Sequence, residues 1–223
     1  MNKKAIFLDF DGTLTDGKFH IWKFLWKKSG YAIDKNSYYA KYKNSFLNGE
    51  ISYEEWCEQS LKFFKLKGLS KKKILTPARE ITLLKNVKKF IKILYRRGFD
   101  IYILSGNFKE IIKRAIGKNL LKKIIYIQAN EFSFKNGFLD GIIANDCDYE
   151  AKPKFVEKII KERLYDKRNV IFIGNGANDE KVKSVGVKTI CINAEDTNYL
   201  DKNNWDCYLF SSDMMECLRY IKK

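Results

Sequence analysis

Proline is scarce in this chain, occurring only at Pro77 and Pro153 among 223 residues. Helices therefore meet few forced breaks, and punctuation falls to the glycines near the ends of apolar runs. Long apolar stretches are also missing. The longest, such as Ile101-Tyr102-Ile103-Leu104 and Val170-Ile171-Phe172-Ile173, are strand-sized, far short of the ~20 residues a membrane helix needs. No membrane span is expected. Behind the basic N-terminus a short apolar run ends at Asp9, too soon for the apolar region of a signal peptide, so a cytoplasmic location is expected. The five cysteines are scattered, odd in number and without Cys-x-x-Cys spacing, which argues against a disulfide framework or a zinc site. Internal repeats and low-complexity linkers are absent too.

Positive charge is abundant. Lys and Arg number 43 against 27 Asp and Glu, for a net charge of +16. Such a field attracts anions. Because the lysines are dispersed and the densest run is Lys71-Lys72-Lys73, solvated helix faces explain them better than a nucleic-acid surface, although the net charge leaves nucleic acid open as a partner. A hydrophobic content of 45% and this length suit one good core plus a smaller second unit.

Strand-type runs fall at 4–8, 99–104, 123–128, 169–174, 187–192 and 206–210, with helical patterns at about 84–97, 108–116, 153–164, 178–184 and 213–222. Alternation of nearly continuous apolar strands with helices predicts an α/β fold, a doubly wound parallel sheet covered on both faces. Phe132–Phe134 and Phe138–Ile143 around Asn136-Gly137 read instead as a β-hairpin. Residues 18–77 break the alternation with helical periodicity and dense aromatics. Ser52 and Glu55 form a capping box for a helix reaching about Lys65. The predicted organisation is a core of 1–17 and 78–223 with a small helical cap of 18–77 inserted over the site.

The most informative segment is Asp9-Phe10-Asp11-Gly12-Thr13, directly behind the apolar run Ala5–Leu8. In extended chain, residues two apart face the same side, so Asp9 and Asp11 are expected in one pocket at the carboxyl edge of the sheet. Two close carboxylates call for positive charge, and Mg²⁺ with a substrate phosphate satisfies that need. Turn chemistry alone also accounts for Asp-x-Asp-Gly. Three more features end strands in the same way. Ser105-Gly106-Asn107 offers a hydroxyl and backbone N–H groups before a helix, a natural anion site. Lys152 opens the helix at Pro153, and Gly174-Asn175-Gly176-Ala177-Asn178-Asp179 brings polar side chains and a carboxylate to the same edge.

In that order the four motifs resemble the haloacid dehalogenase superfamily of phosphohydrolases, in the branch with a small helical cap typified by phosphoserine phosphatase. The resemblance spans essentially the whole chain. It implies a Mg²⁺-dependent phosphomonoester phosphatase acting on a small-molecule phosphate ester. Asp9 would attack phosphorus to form an aspartyl-phosphate, and Asp11 would be the general acid/base. Ser105 and the N–H groups of Gly106 and Asn107 would hold the phosphoryl oxygens, with Lys152 offsetting charge. Metal ligands would be Asp9, Asp11 through its carbonyl, Asn175 and Asp179. The family carries aspartate where this chain has Asn175, so weaker or more substrate-dependent Mg²⁺ binding is expected.

Relatives of the phosphoserine type hold the amino-acid head group with a cap glutamate and a cap arginine. Lys18 and Glu58 stand near those positions, with both signs reversed. Phosphoserine is therefore expected to be a poor substrate. The cap aromatics could contact a sugar, a base or a cationic head group, or simply form the cap's own core. Two other readings remain: a weakened phosphoryl-binding module in which Asn175 marks decay of the metal site, and a phosphatase of nucleic-acid ends drawn by the positive charge.

Overall fold

Apolar alternation on the central strands decides how the sheet is covered. The computed structural model describes residues 3–145, 147, 151–194 and 201–221. Its strands are β1 (Lys4–Leu8), β2 (Phe99–Phe108), β3 (Tyr126–Lys135), β4 (Phe138–Ile143), β5 (Val170–Gly174), β6 (Lys188–Ile192) and β7 (Cys207–Leu209). They form one sheet in the order β4-β3-β2-β1-β5-β6-β7, parallel throughout except for the antiparallel β3–β4 pair. Ile6, Leu8, Ile101, Ile103, Ile171 and Ile173 face one core, while Ala5, Phe7, Tyr102, Leu104, Val170 and Phe172 face another. Both sides are buried, which is why these strands read as unbroken apolar runs.

Helices α1 (Ile21–Lys28), α2 (Tyr38–Leu47), α3 (Tyr53–Leu66) and α4 (Lys71–Leu75) lie between β1 and β2, and α5 (Val87–Arg96) leads into β2. Beyond it come α6 (Lys109–Ile116), α7 (Lys118–Leu121), α8 (Ala151–Arg163) and α9 (Ala177–Glu180). The α3 capping box is complete: Glu55 N–H donates to Ser52 Oγ at 3.1 Å and Ser52 N–H donates to Glu55 Oε2 at 2.7 Å. Most of the aromatics before β2 pack on one another. Trp26 is fully buried, with its ring 6.3 Å from Trp56, 5.0 Å from Phe63 and 5.6 Å from Phe64. These residues share a continuous apolar cluster with Ile6, Leu8 and Phe108 of the sheet.

Several boundaries differ from the sequence expectation. β2 runs on through Ser105-Gly106-Asn107, with its pairing to β3 shifting between Leu104 and Phe108. Consequently α6 begins only at Lys109, and Ser105 is not at a helix start. The strand expected at 123–128 and the first hairpin arm are one ten-residue strand, β3, which pairs with β2 and then with β4. The helix expected at 178–184 is four α-helical residues followed by a 3₁₀ turn at Lys181–Val185. The one expected at 213–222 is a 3₁₀ helix, Met214–Tyr220. There Met214 and Cys217 are both fully buried and three residues apart, the spacing that a three-residue turn aligns. No helix among the described residues is long and apolar enough to cross a membrane.

Candidate active site

Asp9 is held at the end of β1 because its N–H still pairs across the sheet, donating to Ile173 O at 2.9 Å. The carboxylate is engaged on both sides. Lys152 Nζ donates to Asp9 Oδ1 at 2.8 Å, and the Thr13 hydroxyl donates to Asp9 Oδ2 at 2.8 Å. The same lysine reaches Asp179 Oδ1 at 2.5 Å, while Asp179 Oδ2 accepts the N–H groups of Asn175 at 2.9 Å and Gly176 at 3.1 Å. Lys152 and Asp179 are wholly buried and Asp9 is 5% exposed, so one cation is shared by two carboxylates in a desolvated setting. Burial would push the Lys152 amine down, but Asp179 and Asp9 outweigh it and hold the lysine charged, above its ordinary range. Burial likewise raises Asp9, to about 7, with Lys152 pulling it back and Asp179 adding to the rise. This excess of buried negative charge is the electrostatic condition that a cation would relieve.

Asp11 is fixed from the neighbouring strand. Asn107 Nδ2 donates to both Asp11 oxygens at 3.1 Å, and Ser105 Oγ approaches Asp11 Oδ2 at 3.5 Å. Asn107 Oδ1 accepts the N–H of Phe108 at 2.7 Å, and Asn107 N–H donates to Ser105 Oγ at 3.0 Å. The Asn107 side chain is thus committed to holding Asp11, because both ends of its amide are already bonded.

A cavity of 660 Å³ opens over Asp9, Asp11, Ser105, Gly106, Asn107 and Asn175. Its outer wall comes from the segment after β1 and from α1 and α2, including Lys18, His20, Lys23 and Lys43 with Asp16, Trp22 and Tyr39. Lys18 is therefore at the cavity, on its open rim with an 85% exposed side chain near Asp16. Glu58 is not. Trp56, Cys57, Ser60 and Phe64 form the buried face of α3, which turns Glu58 outward beside Leu61, Lys62, Lys65 and Leu66 in a separate depression. The expected repulsion of a phosphoserine carboxylate by Glu58 loses its basis, and so does the exclusion of phosphoserine.

The Asp9 and Asn175 side chains at the cavity floor suit a hard divalent cation, and Asp11, which lines the same floor, is expected to join them through its main-chain carbonyl. Asp179, expected as a further ligand, is sealed beneath them with both oxygens occupied by Lys152 and two backbone N–H groups. Among the described residues no group of three or more His, Cys, Asp or Glu is arranged to hold a metal. The set fits Mg²⁺ in chemistry but is short of one carboxylate. Thr13 Oγ1 lies 3.1 Å from Asn175 Oδ1, yet its single hydroxyl hydrogen already serves Asp9. Turning the Asn175 amide over would let its NH₂ donate to Thr13 and free its oxygen for a cation. Gly12, at φ 77°, leaves the room for this amide, since a Cβ there would collide with it.

Some site residues escaped the sequence reading. Asn193, just past β6, donates to the Gly12 carbonyl at 2.7 Å and lines the cavity. Its signal was the one used for the other motifs, a polar residue at the carboxyl end of a strand. Lys23 and Lys43 gave none, being two lysines among many.

The model of the haloacid dehalogenase-like hydrolases matches residues 3–182. A phosphoserine phosphatase of Methanocaldococcus jannaschii is 27% identical over 230 residues, covering 99% of this chain and 98% of its own. One from Archaeoglobus fulgidus is 27% identical over 198 residues, 87% of this chain, which spans 54% of the Archaeoglobus protein. A solved phosphoserine phosphatase described as a phospho-aspartyl intermediate analogue superposes over the whole of both chains with a TM-score of 0.74 at 25% identity. With the aspartate pair, the buried lysine and the glycine-flanked strand ends in one place, the chain belongs to the haloacid dehalogenase-like hydrolase family and is a phosphoric monoester hydrolase.

Proposed function

We propose that the protein is a Mg²⁺-dependent phosphatase that works through an aspartyl-phosphate on Asp9 and acts on small esters whose leaving group carries an anion. The observation that carries it is the convergence of Asp9, Asp11, Ser105 and the Gly106–Asn107 backbone on one cavity above the Lys152 pair. An Asp9 oxygen attacks phosphorus as the ester P–O bond breaks, and the Asp11 carboxyl gives its proton to the departing alkoxide. Asp11 then takes a proton from the water that attacks the aspartyl-phosphate, releasing inorganic phosphate and restoring Asp9. Ser105 Oγ and the adjacent N–H groups hold the phosphoryl oxygens, and Lys152 steadies Asp9 from beneath. Asp9, Asp11 and Asn175 would hold the divalent cation, which supplies positive charge against the phosphoryl oxygens when bound. In this reading residues 18–77 serve as the cap that forms the outer wall.

Lys18, Lys23 and Lys43 at that wall, against a single Asp16, favour a carboxylate or second phosphate on the leaving group. Phosphoserine belongs to this class, and the names of the relatives point the same way. Phosphate release with Mg²⁺ should vanish in Asp9→Asn and fall by roughly 10²- to 10⁴-fold in Asp11→Asn. Full turnover by Asp9→Asn would refute the nucleophile. Among esters, phosphoserine and phosphoglycolate should exceed phosphoethanolamine in kcat/KM, and parity among the three would remove the role given to the cationic wall.

A further inference from the structure

We infer that Asn130 is a positioning residue that locks the phosphate-holding peptide from behind and couples it to helix α3 of the insertion. Asn130 lies in β3 and is fully buried. Its Nδ2 donates to the Gly106 carbonyl at 2.6 Å and to the Tyr53 hydroxyl at 2.7 Å, and its Oδ1 accepts the N–H of Asn145 at 2.7 Å. Both amide hydrogens and the acceptor are therefore used, which fixes the orientation of the side chain.

The consequence follows from the planarity of the peptide bond. The Gly106 carbonyl and the Asn107 N–H belong to one trans peptide and point to opposite sides of the chain. Pulling that carbonyl toward Asn130 turns the Asn107 N–H the other way, toward Ser105 Oγ at 3.0 Å and the cavity where the phosphoryl group is proposed to sit. β2 departs from regular pairing with β3 between Leu104 and Phe108, so ladder bonds do not set this peptide and the Asn130 amide takes their place.

Tyr53 brings in the insertion. It is the first residue of α3, where the capping box fixes the backbone, and it is 7% exposed. Its ring lies 6.4 Å from that of Trp22, which lines the cavity. One buried amide thus bonds both the peptide behind the phosphate position and the first residue of α3, whose ring packs against the cavity-lining Trp22 of α1. Displacement of α3 takes a partner from Asn130 and loosens the hold on Gly106. Neither Asp, which has no donors, nor Leu, which has no polar atoms, could replace it.

The inference rests on the phosphatase reading for its purpose, but its geometry is testable without turnover. Tyr53→Phe deletes a single hydroxyl, and Asn130→Asp keeps the shape while removing both donors. Hydrogen exchange of the Asn107 amide should speed up about fivefold in Tyr53→Phe, with the melting temperature little changed, and more in Asn130→Asp. Inorganic phosphate should inhibit both variants more weakly than wild type. In the double variant the Tyr53→Phe change should add nothing. Unchanged exchange at Asn107 in Tyr53→Phe, or strictly additive effects, would overturn the coupling. Altered exchange in a protein that neither binds phosphate nor hydrolyses any ester would instead leave the coupling standing and remove the phosphatase reading.

Discussion

At the scale of single residues the decisive quantity is charge. Asp9 and Asp179 share one buried lysine, and removing a partner from such a cluster costs about 3–5 kcal/mol because the remaining charge is stranded. Where the resemblance implies another aspartate this chain has Asn175, which in the proposed metal set would contribute an oxygen but no charge. Asn175→Asp should therefore tighten Mg²⁺ binding by about tenfold or more, measured as the half-saturating Mg²⁺ concentration for hydrolysis of an aryl phosphate and, independently, by calorimetry. Equal affinity in both proteins would sink this account. The Asp9–Asp11 pair was legible because its spacing of two, behind an apolar run, is itself a geometric statement. The bond from the Asn107 amide to Asp11 was not legible, because nothing local reveals a contact with a residue 96 positions earlier in sequence.

At the scale of elements, α5 and the C-terminal 3₁₀ helix are tied by one carboxylate. Asp213 accepts two bonds from Asn86 Nδ2, at 2.9 and 3.0 Å, caps Met215 N–H at 3.0 Å and lies 3.1 Å from Lys85 Nζ. The Asn86 bond, then the cap, lower its carboxyl from 3.8 to about 2. The folded protein thus binds fewer protons at this site than the unfolded chain between those values. The stabilisation is complete above about pH 4 and disappears as pH falls toward 2. Urea unfolding of wild type and Asp213→Asn should show a gap that narrows across that window; a gap independent of pH would contradict it. The elements themselves were largely readable, since apolar runs and the Ser52 capping box act over a few residues. Their ends were not: Ser105-Gly106-Asn107 looks like a loop by composition, yet pairing with β3 keeps Phe108 in the strand.

For the whole molecule the net charge of +16 and the lysines at the cavity mouth should draw anionic esters. Their kcat/KM is expected to fall, by roughly tenfold, as NaCl is raised from low to several hundred millimolar, whereas a neutral solute viscosogen should not mimic it. A flat salt response would show that the field does not act on the substrate. The sequence by itself determined the apolar strands, the helices between them, the order of the four strand-end motifs and the excess of positive charge. These depend on periodicity, turn chemistry and composition, which are written into short stretches of chain. Tertiary structure alone decided that Lys152 sits between Asp9 and Asp179, that Glu58 faces away from the cavity, and that Asn130 joins Gly106 to Tyr53. Each of these depends on which face of an element is buried and on contacts between distant residues, and packing fixes such contacts without leaving a local mark in the sequence.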